Sequence, residues 1–258
     1  MKSVPKNRFK SRLLAGDLQI GLWIAIPSIV SAEALSLLDY DWLAFDGEHT
    51  PVEVAGILPL LQAAATGNSE LIVRPAWNDL VQIKRVLDIG AKTVLLPFIE
   101  SAKAAQEAVQ ATQYPNEGVR GVAGLTRASR YGLVPGYLEQ ANDQICTLVQ
   151  VETSKALNNL EAIAGVDGVD GVFIGPADLS ASLGYLGQSS ESAVQTIFRD
   201  AAKRIDDAGS SPGILATTPD AAKRYIDWGY KFVAINIDLN LLLNSAQKDL
   251  EWIRKSVT

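Results

Sequence analysis

The residues able to do chemistry in this chain follow short apolar runs. His49, in FDGEHT (45–50), is the sole histidine, and histidine is the side chain whose ordinary pKa suits proton transfer near neutrality. Arg74 ends ELIVR and offers a permanently charged planar fork to a carboxylate or a developing oxyanion. Gln150 and Glu152 stand two apart in TLVQVE and so point to the same side of a strand. Asp178 follows the next apolar run, in GVFIGPADLS. With neighbouring strands about 4.8 Å apart, the Glu152 and Asp178 carboxylates can close on one cation. Two carboxylates, one histidine and no cysteine cluster suit a hard ion, Mg2+ or Mn2+, whose remaining positions go to water and substrate oxygens; zinc would want more nitrogen or sulfur.

Plainer readings compete with each of these. His49 can be a histidine without a task, Arg74 can pair with Asp46 or Glu48, Glu152 can pair with a barrel arginine, and Asp178 can cap a helix. What favours a site is coincidence: Trp23, Asp46, His49, Arg74, Gln150, Glu152 and Asp178 all fall in or just after apolar strands. Polar groups there are costly unless paired, hydrogen-bonded or metal-bound.

The elements that position them recur regularly. We read eight strands: 22–26, 42–46, 70–74, 93–97, 147–152, 171–176, 213–216 and 232–236. They are continuous aliphatic runs, as in strands covered on both faces, and they alternate with helical patterns. Helix starts are legible at Thr50-Pro51, Asn78-Asp79, Ser101, Thr153-Ser154 and Thr218-Pro219. Thr50 and Glu53 have the spacing of a capping box, which would set His49 just outside a helix N-terminus and keep its imidazole neutral. Pro59 is expected to interrupt the helix that follows. The fold expected is α/β, a closed (β/α)8 barrel spanning 1–258 as a single domain, with its chemistry at the C-terminal strand ends. One long departure, 114–143, is rich in Gly and Pro and carries Arg120, Arg127 and Arg130. Placed at the mouth after the fourth strand, those arginines would read the far end of a substrate.

Composition excludes several classes. A net charge of −6 argues against nucleic acid or an anionic membrane as the main partner. No apolar run approaches the roughly 20 residues of a membrane span, and no secretory h-region is present at the start. The basic start, with Lys2, Lys6, Arg8, Lys10 and Arg12, reads as a solvated helix face whose Phe9, Leu13 and Leu14 pack on a barrel end. The single Cys146 reads as a small hydrophobe and fits a reducing, cytoplasmic setting. No lysine stands at a strand's C-terminal end, so a Schiff-base nucleophile is missing. Strands seven and eight lack glycine-rich turns for a phosphate.

Taken together, GLWIAI, DWLAFDGEHT, RPAWND, VLDIGAKTVLLP, YPNEGVRGV, LVQVET and GVDGVFIGPADLSASLGY resemble the HpcH/HpaI aldolases, metal-dependent pyruvate aldolases of the phosphoenolpyruvate/pyruvate TIM-barrel superfamily. The resemblance implies reversible cleavage of a 4-hydroxy-2-oxo acid, hexarate-derived or dicarboxylic, to pyruvate and an aldehyde. It further implies His49 as base, Arg74 as oxyanion stabiliser, and Asp88 as the aspartate that raises the basicity of the histidine. Glu152 and Asp178 become the ligands of Mg2+, Mn2+ or Co2+, and Gln150, Ala177 and Asp178 substrate contacts, beside the strand-end Asp46 and Trp23. A hexamer is also implied, bringing Asp88 from a neighbouring subunit and exchanging the last helix; Leu241, Leu242 and Leu243 in succession suit burial on a second surface. The departures lie in RGVAGLTRASRYG and in Asn236, where relatives carry glycine. The alternatives are a lyase acting on a CoA thioester and a non-catalytic barrel that binds a keto acid.

Overall fold

In the computed structural model, which describes residues 4–257, eight parallel strands close into a barrel in sequence order. They are β1 (Gln19–Ile24), β2 (Trp42–Asp46), β3 (Glu70–Arg74), β4 (Thr93–Leu96), β5 (Cys146–Val151), β6 (Gly171–Ile174), β7 (Ser211–Leu215) and β8 (Phe232–Ile237). Every expected strand is present, displaced at its ends by at most three residues. The register sets Asp46 beside Arg74 on β2 and β3, and Gln150 beside Phe173 on β5 and β6.

Two apolar layers follow from strands buried on both faces. Outward residues such as Leu43, Val73, Val149, Val172 and Val233 pack with the surrounding helices. Inward residues, among them Trp23, Trp42, Ile72, Leu148, Phe173 and Phe232, fill the lumen together with the buried Cys146. The helix Arg8–Leu14 closes the floor. Asn7 caps it by accepting from the Lys10 N–H, and its Phe9 and Leu13 are buried among the lumen residues. Phe9 meets the Trp42 and Phe232 rings edge-on at 6.2 and 5.8 Å. Of the basic start, Lys2 lies outside the described residues.

Four of the expected helix starts are N-caps with side-chain bonds: Asp79, Ser101, Thr153 and Thr218. Thr50 is not. The Asp46 carboxylate accepts the N–H of Glu48 at 2.9 Å and of His49 at 3.3 Å, while the Thr50 hydroxyl turns back to the Asp46 carbonyl. This folds 46–50 into a tight turn, and the helix starts only at Val54. His49 therefore belongs to a turn at the mouth and does not stand at a helix N-terminus. Pro59 lies inside that helix, which runs on to Ala64.

The 114–143 segment is also not where we expected it. The helix Ala102–Thr112 carries the chain from the mouth to the opposite end before the segment begins. There Arg120 donates to Asp88 at 2.8 Å and lies over the Tyr114 ring. Arg127 donates to the Ile89 carbonyl at 2.8 Å, satisfying the end of the helix Leu80–Asp88. The last part, Tyr137–Gln144, is itself a helix. None of these arginines faces the mouth of its own barrel.

The final helix, Asp238–Ser256, is anchored at its start, where Asp238 accepts the N–H groups of Ala25 and Ile26 at 2.8 and 3.1 Å. From residue 241 to 257 every residue is exposed, Trp252 at 67% and Leu243 at 58%. Among the described residues no helix is long and apolar enough to cross a membrane.

Phe9 is fully buried in the plugged floor, so Phe9→Ala is expected to cost about 3–5 kcal/mol through the cavity it leaves. Urea unfolding should show a lowered midpoint with an unchanged slope.

Candidate functional site

At the C-terminal strand ends lies a cavity of about 320 Å3 whose lining includes Trp23, Asp46, His49, Arg74, Gln150, Phe173, Gly175, Ala177, Asp178, Leu215, Ile237 and Leu239. That size is in the range of small-molecule sites. A larger hollow of about 510 Å3 lies at the other end of the barrel, between Lys92, Arg127 and Tyr131. Lys92 there is engaged by Glu70 and the Lys6 carbonyl and Arg127 by the Ile89 carbonyl, and the hollow receives none of the strand-end acids.

Arg74 is the centre of the smaller cavity. Its Nε and Nη2 donate to the two Asp46 oxygens at 3.0 and 2.7 Å, a bidentate pair with both side chains buried. Nη1 lies 2.6 Å from Glu48 Oε2. That contact is one of charge, because Oε2 receives no aligned N–H. The guanidinium also sits 4.7 Å above the Trp23 ring, whose Nε1 donates to Asp46 at 3.3 Å. Burial alone would raise the Asp46 pKa, but the bonds and charge of Arg74, with the Glu48 N–H and the Trp23 indole, hold it below the usual range. Arg74 thus forms both of the salt bridges that competed with a catalytic role, and still lines the cavity.

His49 is 63% exposed in its side chain, with Nε2 3.9 Å from Glu48 Oε2. A histidine at a mouth, reachable from the cavity it lines, is placed to exchange a proton with a bound molecule.

Glu152 directly follows β5 and, among the described residues, pairs with no arginine. Its Oε1 accepts the Phe98 N–H at 2.7 Å and its Oε2 accepts from the Gln150 side chain. Burial, with the charges of Glu48 and Asp178, raises its pKa to about 7, against the Phe98 N–H and Arg74. Phe98 holds its donor in place from a left-handed backbone, φ 59°, a conformation costly for a bulky residue and concentrated at functional sites. Gly175 allows the close approach, since a Cβ there would lie 2.9 Å from Glu152 Oε2. Asp178 caps nothing: the helix Pro176–Ser182 has Gly175 as N-cap without a side-chain bond. Its carboxylate makes no hydrogen bond or ion pair among the described residues.

The fit to a divalent cation follows. Glu152 is a buried carboxylate whose pKa is raised to about 7 by burial and by neighbouring acids, Asp178 is uncommitted, and the Gln150 Oε1 is buried without a donor. No third acid, His or Cys completes a protein cage among the described residues. That matches Mg2+ or Mn2+, which bind through one or two carboxylates and keep positions for water and substrate.

Apart from the arginines of 114–143, the residues singled out in the sequence converge here with the exception of Asp88. Asp88 pairs with Arg120 at the far end of its helix, about 13 Å along the helix axis from the mouth, and does not meet His49 of the same chain. Two residues that contact the site were missed. Glu48 was read as a salt-bridge partner only, and Phe98 acts through its backbone, for which a sequence carries no signal.

The family profile described as HpcH/HpaI aldolase/citrate lyase matches residues 19–245. A Shigella sonnei protein named 4-hydroxy-2-oxo-heptane-1,7-dioate aldolase is 51% identical over 243 residues, 94% of this chain and 93% of its own. A Klebsiella pneumoniae protein of the same name is 51% identical over 242 residues, 93% of this chain and 91% of its own. The crystal structure of an HpcH/HpaI aldolase/citrate lyase family protein from Burkholderia cenocepacia superposes with a TM-score of 0.94 at 37% identity, covering 96% of this chain and 100% of that one.

Replacing Asp46 with alanine leaves Arg74 buried without its bidentate acceptor, and a loss of about 3–5 kcal/mol is expected in denaturant unfolding. Because the folded pKa of Asp46 is depressed, its contribution is full above the unfolded value of roughly 3.9 and disappears as pH falls through the folded value. The gap between wild type and the alanine variant should therefore narrow in acid.

Proposed function

The chain belongs to the HpcH/HpaI aldolase/citrate lyase family, and from that premise we propose that it is a carbon–carbon lyase that reversibly cleaves a 4-hydroxy-2-oxo acid to pyruvate and an aldehyde. The 4-hydroxy-2-oxo-heptane-1,7-dioate on which its relatives are named to act is the first substrate to try. The observation that carries the reading is the convergence of His49, Arg74, Gln150 and Asp178 on one small cavity above a buried Glu152.

Glu152 and Asp178 would hold a divalent cation, Mg2+ or Mn2+ with Co2+ a third candidate, and when bound it supplies Lewis acidity worth several kcal/mol to a developing enolate. Gln150 and the Ala177–Asp178 stretch bind the 2-oxo acid end. His49 takes the 4-hydroxyl proton as the C3–C4 electron pair moves toward the pyruvate half, and the aldehyde carbonyl forms. The free N–H groups of Arg74 stabilise the oxyanion, from a guanidinium whose orientation Asp46 and Trp23 already fix. Protonation at C3 then yields pyruvate, with His49 returning the proton. Phe173, Leu215, Ile237 and Leu239 give the cavity an apolar portion of its wall. Among the described residues Arg74 is the only arginine or lysine on the cavity wall, which leaves the phosphates of a CoA thioester without partners there.

The whole chain acts as one barrel domain, and it works as a homo-oligomer, a hexamer by resemblance. The exposed Leu241, Leu242, Leu250, Trp252 and Ile253 of the last helix support exchange of that helix with a second copy, since such an apolar surface is unfavourable in water.

A coupled pyruvate-release assay on 4-hydroxy-2-oxo acids tests the activity. Turnover is expected to vanish with a chelator and return with Mn2+, and His49→Ala should lose roughly 10²–10⁴ in kcat. Full activity in chelator, or in His49→Ala, defeats the mechanism. Independently of turnover, Mn2+ at about a hundred times its Kd should stabilise wild type by about 2.7 kcal/mol and leave Glu152→Ala unchanged. Sedimentation at micromolar concentration should show no stable monomer, and deleting the chain after residue 240 should release one.

A further inference from the structure

Resting on the aldol-cleavage reading above, we propose that Glu48 is a positioning residue for the reaction: the carboxylate through which Arg74 and His49, the two groups assigned to charge and proton transfer, are held in fixed relation. It is the only side chain among the described residues within ion-pairing distance of both, with Oε2 2.6 Å from Arg74 Nη1 and 3.9 Å from His49 Nε2.

Three features separate it from an ordinary salt-bridge partner. Asp46 already neutralises Arg74 through an aligned bidentate pair, so a second carboxylate is not needed to bury the guanidinium. Glu48 is largely buried, 13% exposed in its side chain, yet no N–H is aimed at its Oε2. Its burial is offset by the charge of Arg74 at 2.6 Å and not by an aligned bond. Finally, its position is imposed by the turn: the Asp46 carboxylate captures the Glu48 and His49 amides, which fixes the backbone from which both side chains project.

In the reaction His49 gains a proton and becomes cationic at the moment Arg74 faces a developing anion. Glu48 answers both needs. It limits rotation of the guanidinium about the Asp46 pair, directing the remaining N–H groups at the oxyanion, and it supplies a counter-charge to the imidazolium. The role parallels that of a carboxylate orienting a histidine base, where loss of the charge lowers turnover more than binding. Within one chain this task falls to Glu48, because Asp88 is engaged by Arg120 at the other end of the barrel.

The test compares Glu48→Gln, which keeps the shape and removes the charge, with Glu48→Asp, which keeps the charge and retracts it. Both are assayed as the full assembled protein with saturating Mn2+. Glu48→Gln is expected to lower kcat by roughly ten- to a hundredfold with KM within about threefold, and Glu48→Asp to recover part of the loss. Mn2+ affinity, read from the free-ion electron paramagnetic resonance signal, should stay within about threefold in both variants. Wild-type kcat in Glu48→Gln overturns the proposal, as does a fall in Mn2+ affinity above about tenfold, which would make Glu48 part of the cation's own surroundings. Where Glu48→Gln does not fold, Glu48→Asp decides alone: a kcat equal to wild type overturns the role, and a reduced kcat with unchanged Mn2+ affinity supports it. Absence of turnover in wild type itself overturns the aldolase reading and this role with it, whereas an active wild type matched by both variants overturns only the role.

Discussion

The mouth of the barrel depends on the buried pair between Arg74 and Asp46. The two residues are register partners on β2 and β3, so the backbone ladder brings them side by side before any side chain is placed. An arginine at the end of an apolar strand would be untenable alone, and a carboxylate likewise, since each would carry a desolvation cost of several kcal/mol. Paired bidentately they can be buried, and other groups then use the pair as a platform. Trp23 stacks on the guanidinium and donates to the carboxylate. The same carboxylate binds the Glu48 and His49 amides and so determines the path of the turn that presents the histidine.

Around that pair the acids outnumber the base. Asp46, Glu48, Glu152 and Asp178 face one another across Arg74, and their mutual repulsion shows in Glu152, pushed up to about 7 by burial and by Glu48 and Asp178, and in Glu48, raised by burial and by Asp46 and Asp178 against Arg74 and His49. Such a concentration of carboxylates in a low-dielectric site is unfavourable in isolation. A divalent cation between Glu152 and Asp178 would offset it, and the site so formed would favour ligands that bring anionic oxygens to the cation and to Arg74 together.

Much of this was legible in the sequence, for physical reasons that also explain where legibility stopped. Continuous aliphatic runs identify strands buried on both faces, and polar residues at their ends stand out because burial there is costly. Asp79, Ser101, Thr153 and Thr218 were readable as caps because each bonds an amide two or three residues on. Thr50 carries the same signature and fails, because its hydroxyl is turned back to the Asp46 carbonyl and the helix starts only at Val54. Local spacing cannot register a competitor supplied by a strand end four residues earlier. The 114–143 segment was misplaced for another reason: its sequence neighbour is β4, but the helix Ala102–Thr112 intervenes and delivers it to the opposite end, where Arg120 and Arg127 find Asp88 and the Ile89 carbonyl. Glu48 and Phe98 were hidden because their roles depend on tertiary direction, a carboxylate turned inward and a main-chain N–H held by a left-handed backbone.

The position of Asp88 joins the site to the question of assembly. Its helix runs from the mouth to the floor, and nine helical residues span about 13 Å, so no side-chain rotation brings its carboxylate to the His49 of its own chain. For Asp88 to serve that histidine, as the resemblance implies, it would have to come from another copy, and two features favour such a copy. The last helix exposes leucines and a tryptophan along most of its length, which a monomer would leave in water. That helix also begins inside the site, since Leu239 lines the cavity and Asp238 is bonded to the loop after β1. Whatever holds the helix therefore also bears on one cavity wall. An isolated chain retains Glu48 beside His49 and Arg74 without any partner, and a second copy covering the last helix would steady the apolar wall from behind.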